Sequence, residues 1–119
     1  MKKANPMIVS LRDQILATRA RPRKVVPVEV PEWGLTVYVR CMTGLERDRF
    51  ELAQRKEHGD IRPRLFASTT CDEAGVALFS EADFDDLRDL DANAMDRVIM
   101  AAMELNDVSK EGIEKAGEA

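Results

Sequence analysis

The residues that could do acid–base, nucleophilic or metal chemistry are few and are scattered along the chain. His58 is the only histidine, and it lies beside Gly59 at the predicted end of a helix. No second histidine and no nearby cysteine accompany it, so the sequence predicts no metal site and no cofactor. Cys41 and Cys71 are too few and too far apart for a disulfide framework, which predicts free thiols.

The positions of the other polar groups argue against catalysis. A Cys–His dyad remains formally open, but Cys41 lies on the apolar face of a predicted strand, where cysteine is usually a small buried hydrophobe. Ser80 has the position of a helix cap, and the carboxylates lie on predicted exposed helix faces or at caps. No glycine-rich loop leads from a strand into a helix with phosphate-binding spacing. The sequence therefore predicts a protein that is not an enzyme.

Charge is distributed unevenly along the 119 residues, whose net charge is −4. Residues 1–24 contain seven basic residues and one acidic residue, whereas residues 72–119 contain four basic and fourteen acidic residues. Three interpretations remain open: two solvated surfaces, a basic nucleic-acid arm, or head-to-tail association of copies as a ring or spiral. For association, the candidate residues are Arg21, Arg23 and Lys24. The basic segment 19–24 lacks interleaved aromatic residues, which argues against nucleic-acid binding.

Length and hydropathy predict one domain and no membrane partner. No stretch approaches the ~20 apolar residues of a membrane span, and the apolar run near the N-terminus stops at Arg12. We expect a soluble, cytosolic protein. The predicted organisation is an N-terminal helix and basic linker (1–24), a single domain (25–110) and a polar tail (111–119).

The clearest strand pattern predicts an antiparallel β-hairpin over residues 25–41. Valines alternate along both strands and form one apolar face, while Arg40 falls on the opposite, polar face. Pro27 has no N–H to donate, so the first strand is predicted to be an edge strand. Trp33 lies in the turn, where it either folds back over an apolar face or contacts a partner.

Capping residues and helical periodicity predict most of the remaining structure. Helices are predicted over residues 6–17, after the Asn5-Pro6 cap, and over 44–57, where Thr43 and Glu46 form a capping box. Ser80 with Asp83 caps a further helix. The best helical stripe in the chain precedes Asn106 and consists of Met95, Val98, Ile99, Ala102 and Leu105.

One segment is ambiguous. Residues 61–71 alternate between apolar and polar types and are rich in β-branched residues, which favours a strand, while a helix over 63–70 is the alternative. Gly75 is predicted to adopt a positive φ in the following turn. A second strand over 76–79 would then return beside the first. In total the sequence predicts an α+β fold: a mostly helical small domain with an N-terminal antiparallel hairpin.

The order of these motifs is more specific than any one of them. The hairpin ends at an arginine and is followed by a "MTG-x-ER/D" helix start, a "D-x-x-G-x-x-LF-S/T-x-x-D" segment and a helix that ends in Leu-Asn. The corresponding residues are Arg40, Met42-Thr43-Gly44, Glu46-Arg47-Asp48, Asp72, Gly75, Leu78-Phe79-Ser80, Asp83 and Leu105-Asn106. This arrangement resembles the tail assembly chaperones of long-tailed bacteriophages and prophages over about residues 25–110. The N-terminal helix and basic linker depart from the family pattern.

The resemblance implies a function that needs no catalytic site. Family members bind the hydrophobic, helical tape measure protein and keep it soluble until tail-tube subunits polymerise around it. They act in the host bacterial cytoplasm and are not expected in the mature virion. The alternative is a small prophage nucleic-acid-binding regulator that uses segment 19–24.

Candidate client-binding residues follow from the adaptability that such binding needs. Methionine repacks easily because its thioether chain is unbranched and polarizable. Met100 and Met103 lie beside the main helical stripe, and Trp33 lies at the hairpin turn. These three residues are predicted to contact the client, and the alternative is that they fill the hydrophobic core.

Overall fold

The structure, a computed structural model, describes residues 9–55 and 60–108. In chain order the elements are α1 (Leu11–Ala17), β1 (Val25–Val30), β2 (Leu35–Arg40), α2 (Gly44–Gln54), α3 (Ile61–Thr69), β3 (Thr70–Cys71), α4 (Phe84–Arg88) and α5 (Ala92–Leu105). Short 3-10 turns continue α1 at Thr18–Ala20 and lead into α4 at Glu81–Asp83. The predicted α+β class, mostly helical with an N-terminal hairpin, is confirmed. None of the described helices is long and apolar enough to cross a membrane.

β1 and β2 form the predicted antiparallel hairpin, and β3 adds a short strand on the other side of β2. Val30 pairs with Leu35 at the turn, where the N–H of Trp33 donates to the carbonyl of Val30 over 3.1 Å. Among the described strands, β1 therefore lies at the edge of the sheet. This confirms the prediction made from Pro27, because a proline in a central strand would remove a hydrogen bond from the ladder.

The hydrophobic core forms where α5 packs against the hairpin and against α3. Val98 and Ala102 of α5 and Val39 of β2 are completely buried. The predicted stripe is confirmed as core, with Leu105 partly buried at its end. Burial of a side chain such as Val98 contributes about 1.5–3 kcal/mol. α5 is thus the element that joins the sheet to the helical layer.

The start of α2 has the capping box that its sequence predicts. The Glu46 N–H donates to the Thr43 hydroxyl over 3.2 Å, and the Thr43 N–H donates to the Glu46 carboxylate over 2.9 Å, which completes the capping box. Phe50 is buried against the core, whereas Leu52 remains 56% exposed. α2 ends at Gln54, earlier than the predicted residue 57. The predicted stop at His58 and Gly59 lies outside the described residues.

The favoured prediction for residues 61–71 was wrong. Ile61–Thr69 is a helix, close to the alternative over 63–70, and only Thr70–Cys71 pairs with β2. Pro63 lies in the first turn, where a missing N–H leaves no helical hydrogen bond unmade. Most side chains of α3 are buried, so the helix lacks the polar face that would give its sequence a helical period. The Thr69 hydroxyl donates to the Leu65 carbonyl over 2.7 Å, and this hydrogen bond offsets the cost of burying the hydroxyl.

Two other boundaries also differ from the predictions. α1 begins at Leu11, because the Ser10 hydroxyl accepts the N–H of Asp13 and caps the helix there. The predicted cap at Asn5-Pro6 lies outside the described residues. Residues 76–79 form no strand, since only Ala77 bridges to the sheet, at Cys71.

The turn between these segments agrees with its prediction. Gly75 has a φ of +85°, and its N–H donates to the Asp72 carbonyl over 2.9 Å. The Asp72 side chain accepts further backbone N–H groups, from Ala74 and Val76. The turn is therefore fixed by one carboxylate and one left-handed glycine.

Arg40, predicted on the polar face of the hairpin, is instead buried, with 8% of its surface exposed. Its guanidinium donates to the carbonyl of Ser68 over 3.2 Å, to the carbonyl of Gly75 over 3.0 Å, and to the Glu46 carboxylate over 3.4 Å. Glu46 also accepts from Arg23 over 2.8 Å. α3 and the turn after β3 cover this end of the strand, which strand alternation alone does not reveal.

Asn106 ends α5, as predicted, and connects that end to the segment between β2 and α2. Its side-chain oxygen accepts the N–H of Met42 over 2.7 Å. Its side-chain amide donates to the carbonyls of Arg40, over 3.3 Å, and Ala102, over 2.8 Å. The Leu-Asn ending of the helix therefore fixes α5 to the chain that follows the hairpin.

We expect Arg40→Met to lower the free energy of unfolding by about 2–3 kcal/mol, because two carbonyls and a carboxylate lose their donor inside the protein. Urea denaturation followed by circular dichroism measures this change. Arg49→Met is the matched control, since Arg49 is exposed on α2 and should change stability by less than about 0.5 kcal/mol. If the two variants lose equal free energy of unfolding, the hydrogen bonds of the buried Arg40 guanidinium do not stabilise the fold as proposed.

Three glycine substitutions should rank in a fixed order of stability. Gly75→Ala should destabilise most, because its φ is +85° and a new Cβ would lie 3.3 Å from Val25 Cγ2. Gly34→Ala should cost about 1–2 kcal/mol, because its φ is +63° but no atom lies within 4 Å of the new Cβ. Gly44→Ala, in the first turn of α2, should be neutral or slightly stabilising. Thermal unfolding of the three variants checks the order, and Gly44→Ala being the least stable would overturn it.

Candidate functional site

The two candidate methionines of α5 have different surroundings. Met100 is 51% exposed, whereas Met103 is 5% exposed and belongs to the hydrophobic core. They lie three positions apart beside the same buried stripe, and the packing of α5 leaves only Met100 accessible. Contact between a client and either residue is still a prediction, and the geometry now supports it for Met100 alone.

Met100 lies in a shallow, open groove between α5 and the edge strand β1, which we term the α5–β1 groove. Its volume is about 470 Å³, and it is lined by Val28, Glu29, Asn93, Asp96, Arg97 and Met100. The half-buried Val28 and the exposed Met100 supply apolar surface, and the other lining side chains are polar or charged. The groove thus offers an apolar strip with polar margins.

Ion pairs hold the margins of the α5–β1 groove in place. Arg97 donates to both carboxylate oxygens of Glu32 over 2.8 and 2.9 Å, which links α5 to the hairpin turn. These hydrogen bonds lower the pKa of Glu32 and raise that of Arg97. Asp96 pairs with Arg62 of α3 on the neighbouring side. The two bridges link α5 to α3 and to the hairpin one turn before Met100.

Trp33, the third candidate contact, folds back over the core. It is half-buried, and its ring meets Phe66 edge to face with centroids 6.3 Å apart. Phe66 in turn lies 5.7 Å from Phe79, measured between centroids. This geometry agrees with the interpretation of Trp33 as a cover for an apolar face, and a contact with a client stays a prediction.

The basic linker contributes fewer free charges than its sequence indicates. Arg21 and Lys24 are exposed and have no side-chain partner among the described residues. Arg23 is different, because its guanidinium donates to the Cys41 carbonyl over 3.2 Å and to Glu46 over 2.8 Å. The proposed association residues therefore divide into two free cations and one that is bound within its own chain. The same division leaves fewer cations for the alternative nucleic-acid interface.

Within residues 9–55 and 60–108, the side chains that could act in catalysis or bind a metal do not come together in one site. Cys71 is buried and unpaired, and burial raises the pKa of its thiol, which disfavours the reactive thiolate. Cys41 is a half-buried free thiol, and His58 lies outside the described residues. No group of three or more His, Cys, Asp or Glu side chains in the described part could hold a metal ion.

A second groove, of about 410 Å³, lies beside Arg40, and both of the carboxylates that line it are already paired. Glu46 is bound to Arg40 and Arg23, and Glu81 is bound to Arg64 over 2.9 Å. Hydrogen bonding to Asp60 raises the pKa of Arg64, whose guanidinium also lies 5.2 Å from the Phe84 ring centroid. These contacts are those of a structural ion-pair cluster, because each carboxylate is neutralised by an arginine.

Comparisons with known proteins identify the fold. No protein-family model matches the chain, and no curated protein matches it in sequence. Among solved structures, the tail assembly chaperone of bacteriophage HK97 superposes with a TM-score of 0.59 and 22% sequence identity. The match covers 77% of this chain and 97% of the HK97 chain. The chain therefore has the fold of a bacteriophage tail assembly chaperone, the family that its sequence motifs resemble.

Proposed function

We propose that this chain is a tail assembly chaperone that binds the tape measure protein and keeps it soluble until tail-tube subunits polymerise around it. The observation that carries the proposal is the α5–β1 groove, with Met100 exposed, on a domain with this fold. The role is non-enzymatic and is exercised in the host bacterial cytoplasm. The finished virion is expected to lack the protein.

The α5–β1 groove suits a long client that offers many similar binding segments. Met100 can repack against different apolar side chains, because its thioether chain is flexible and polarizable. The area of one such contact is small, so each groove binds weakly, and strength comes from many copies along the client. Weak single contacts also allow the client to be released as the tube grows.

The margins of the groove give the binding its selectivity. Asp96 and Arg97 are paired with Arg62 and Glu32, so their charges are largely satisfied before a client arrives. A client that buries apolar atoms on Met100 and Val28 can leave these ion pairs in water at the rim. An apolar helix face with polar flanks meets this requirement, whereas a uniformly charged segment does not.

Co-expression tests the proposal directly. The chain should raise the soluble fraction of a co-expressed tape measure protein several-fold. Met100→Ser should remove much of this gain while it leaves the melting temperature of the chain within about 2 °C of the wild-type value. The reason is that serine at an exposed position removes apolar contact area without opening a cavity in the core. Soluble client is measured by quantitative gel analysis after centrifugation.

Two controls make this result specific. Val76→Ser changes an equally exposed apolar residue in the turn after β3, and it should leave client solubility unchanged. Met103→Ser opens a cavity in the core and should lower stability by about 2–4 kcal/mol. If the client is equally insoluble with and without the wild-type chain, the proposed function is wrong. Equal losses with Met100→Ser and Val76→Ser would reject the α5–β1 groove as the binding site.

A further inference from the structure

Among the described residues, the unpaired charged residue in the lining of the α5–β1 groove is acidic. Glu29 lines the groove from the edge strand β1, is exposed, and has no side-chain partner in the described part of the chain. Asp96, the other acidic lining residue, is bound to Arg62. Arg97 is bound to both carboxylate oxygens of Glu32. A partner that enters the groove therefore meets a free carboxylate, while the arginine of the lining is already occupied.

A second free carboxylate lies one turn further along α5. Glu104 is four positions after Met100, and side chains at this spacing share a helical face, with Cβ atoms about 5–6 Å apart. Glu104 is exposed, and no arginine or lysine within residues 9–55 and 60–108 pairs with it. Two exposed carboxylates therefore border Met100, Glu29 on the strand side and Glu104 along the helix.

Lys24 is the unpaired cation of the described chain that comes closest to the groove lining in sequence. It is exposed and lies four residues before Val28, which is about 13 Å along an extended chain. That distance exceeds the Debye length of about 8 Å at physiological ionic strength, so solvent ions screen its charge at the groove. The surface around Met100 consequently stays negative.

This charge decides which flanks a client segment can have. A client that places an apolar side chain on Met100 brings its flanking residues beside Glu29 and Glu104. Acidic flanks would put like charges side by side, which is destabilising, and neutral flanks would gain nothing from the carboxylates. Lys and Arg fit best, because their methylene stems cover apolar surface while the charged head stays in water at the rim.

We propose that the α5–β1 groove selects client segments whose apolar stripe is flanked by Lys or Arg, and that Glu29 and Glu104 determine this specificity. The inference rests on the proposed function, because it names the chemistry of the segments that the same groove binds. Each ion pair is exposed, so it changes the affinity by no more than about fivefold. Two such pairs distinguish basic from acidic segments by about tenfold and still leave each contact weak enough to be released.

Two synthetic peptides test the preference. Both are 18-residue alanine-based helices with the same leucine stripe, and they differ only in the residues that flank the stripe, which are lysines in one peptide and glutamates in the other. Fluorescence anisotropy of the labelled peptides, titrated with the full chain, measures the two dissociation constants. The wild-type chain should bind the lysine-flanked peptide about tenfold more tightly.

Variants of the chain assign the preference to its residues. Glu29→Lys/Glu104→Lys should reverse the preference, so that the glutamate-flanked peptide binds more tightly. Met100→Ser should weaken both peptides by a similar factor and leave their ratio unchanged, because the apolar contact is common to the two. Raising the salt from about 0.1 M to about 1 M shortens the Debye length from about 10 to about 3 Å and should remove most of the wild-type preference.

A matched control separates the groove from the overall charge of the chain, which is −4 and by itself attracts a basic peptide. Glu73 and Asp86 are exposed carboxylates in the turn after β3 and on α4, and neither lines the α5–β1 groove. Glu73→Lys/Asp86→Lys alters the net charge by the same amount as Glu29→Lys/Glu104→Lys. This control should keep the wild-type preference.

Four results would overturn the inference. They are equal affinity of the wild-type chain for the two peptides, no binding of either peptide, an unchanged preference in Glu29→Lys/Glu104→Lys, and an equal loss of preference in the control. Co-expression with the tape measure protein separates this failure from that of the proposed function. A chain that solubilises the client without distinguishing the peptides would reject the charge preference alone. A chain that distinguishes the peptides but leaves the client insoluble would reject the proposed function and retain the preference of the groove.

Discussion

The whole domain depends on one buried positive charge, the guanidinium of Arg40. A cation removed from water is costly unless acceptors surround it. The chain meets this requirement by bringing the carbonyls of Ser68 and Gly75 and the carboxylate of Glu46 to one point. These groups come from the end of α3, the turn after β3 and the first turn of α2. One side chain therefore sets the relative positions of the sheet, two helices and a turn.

The α5–β1 groove rests on elements positioned from this point. Glu46 caps α2 and also binds Arg23, so the carboxylate that binds Arg40 also fixes the end of the basic linker. Asn106 fixes the end of α5 to Met42, directly after the hairpin. Met100 is consequently presented by a helix held at its C-terminal end by Asn106 and further along by the bridge from Arg97 to the hairpin turn.

Features with a local chemical cause could be predicted from the sequence, and those with a tertiary cause could not. The hairpin and the Thr43 cap depend on alternation and on groups three residues apart, which a sequence displays directly. α3 could not be distinguished from a strand, because burial on most of its faces removes helical periodicity, although Pro63 fits a first helical turn. Met100 and Met103 look equivalent beside one stripe, and only the packing of α5 separates them. The burial of Arg40 arises from segments that lie far away in sequence.

The edge strand β1 has a further consequence for contact between molecules of this chain. The Cys41 N–H donates to the Lys24 carbonyl, so Lys24 and every second residue after it direct their backbone groups toward β2. Val25, Pro27 and Glu29 therefore direct theirs outward. At the centre of that free edge Pro27 offers a carbonyl but no N–H, and Glu29 adds a charge. A strand from another molecule cannot complete a continuous ladder there, so the exposed β-edge is protected against amyloid-like stacking.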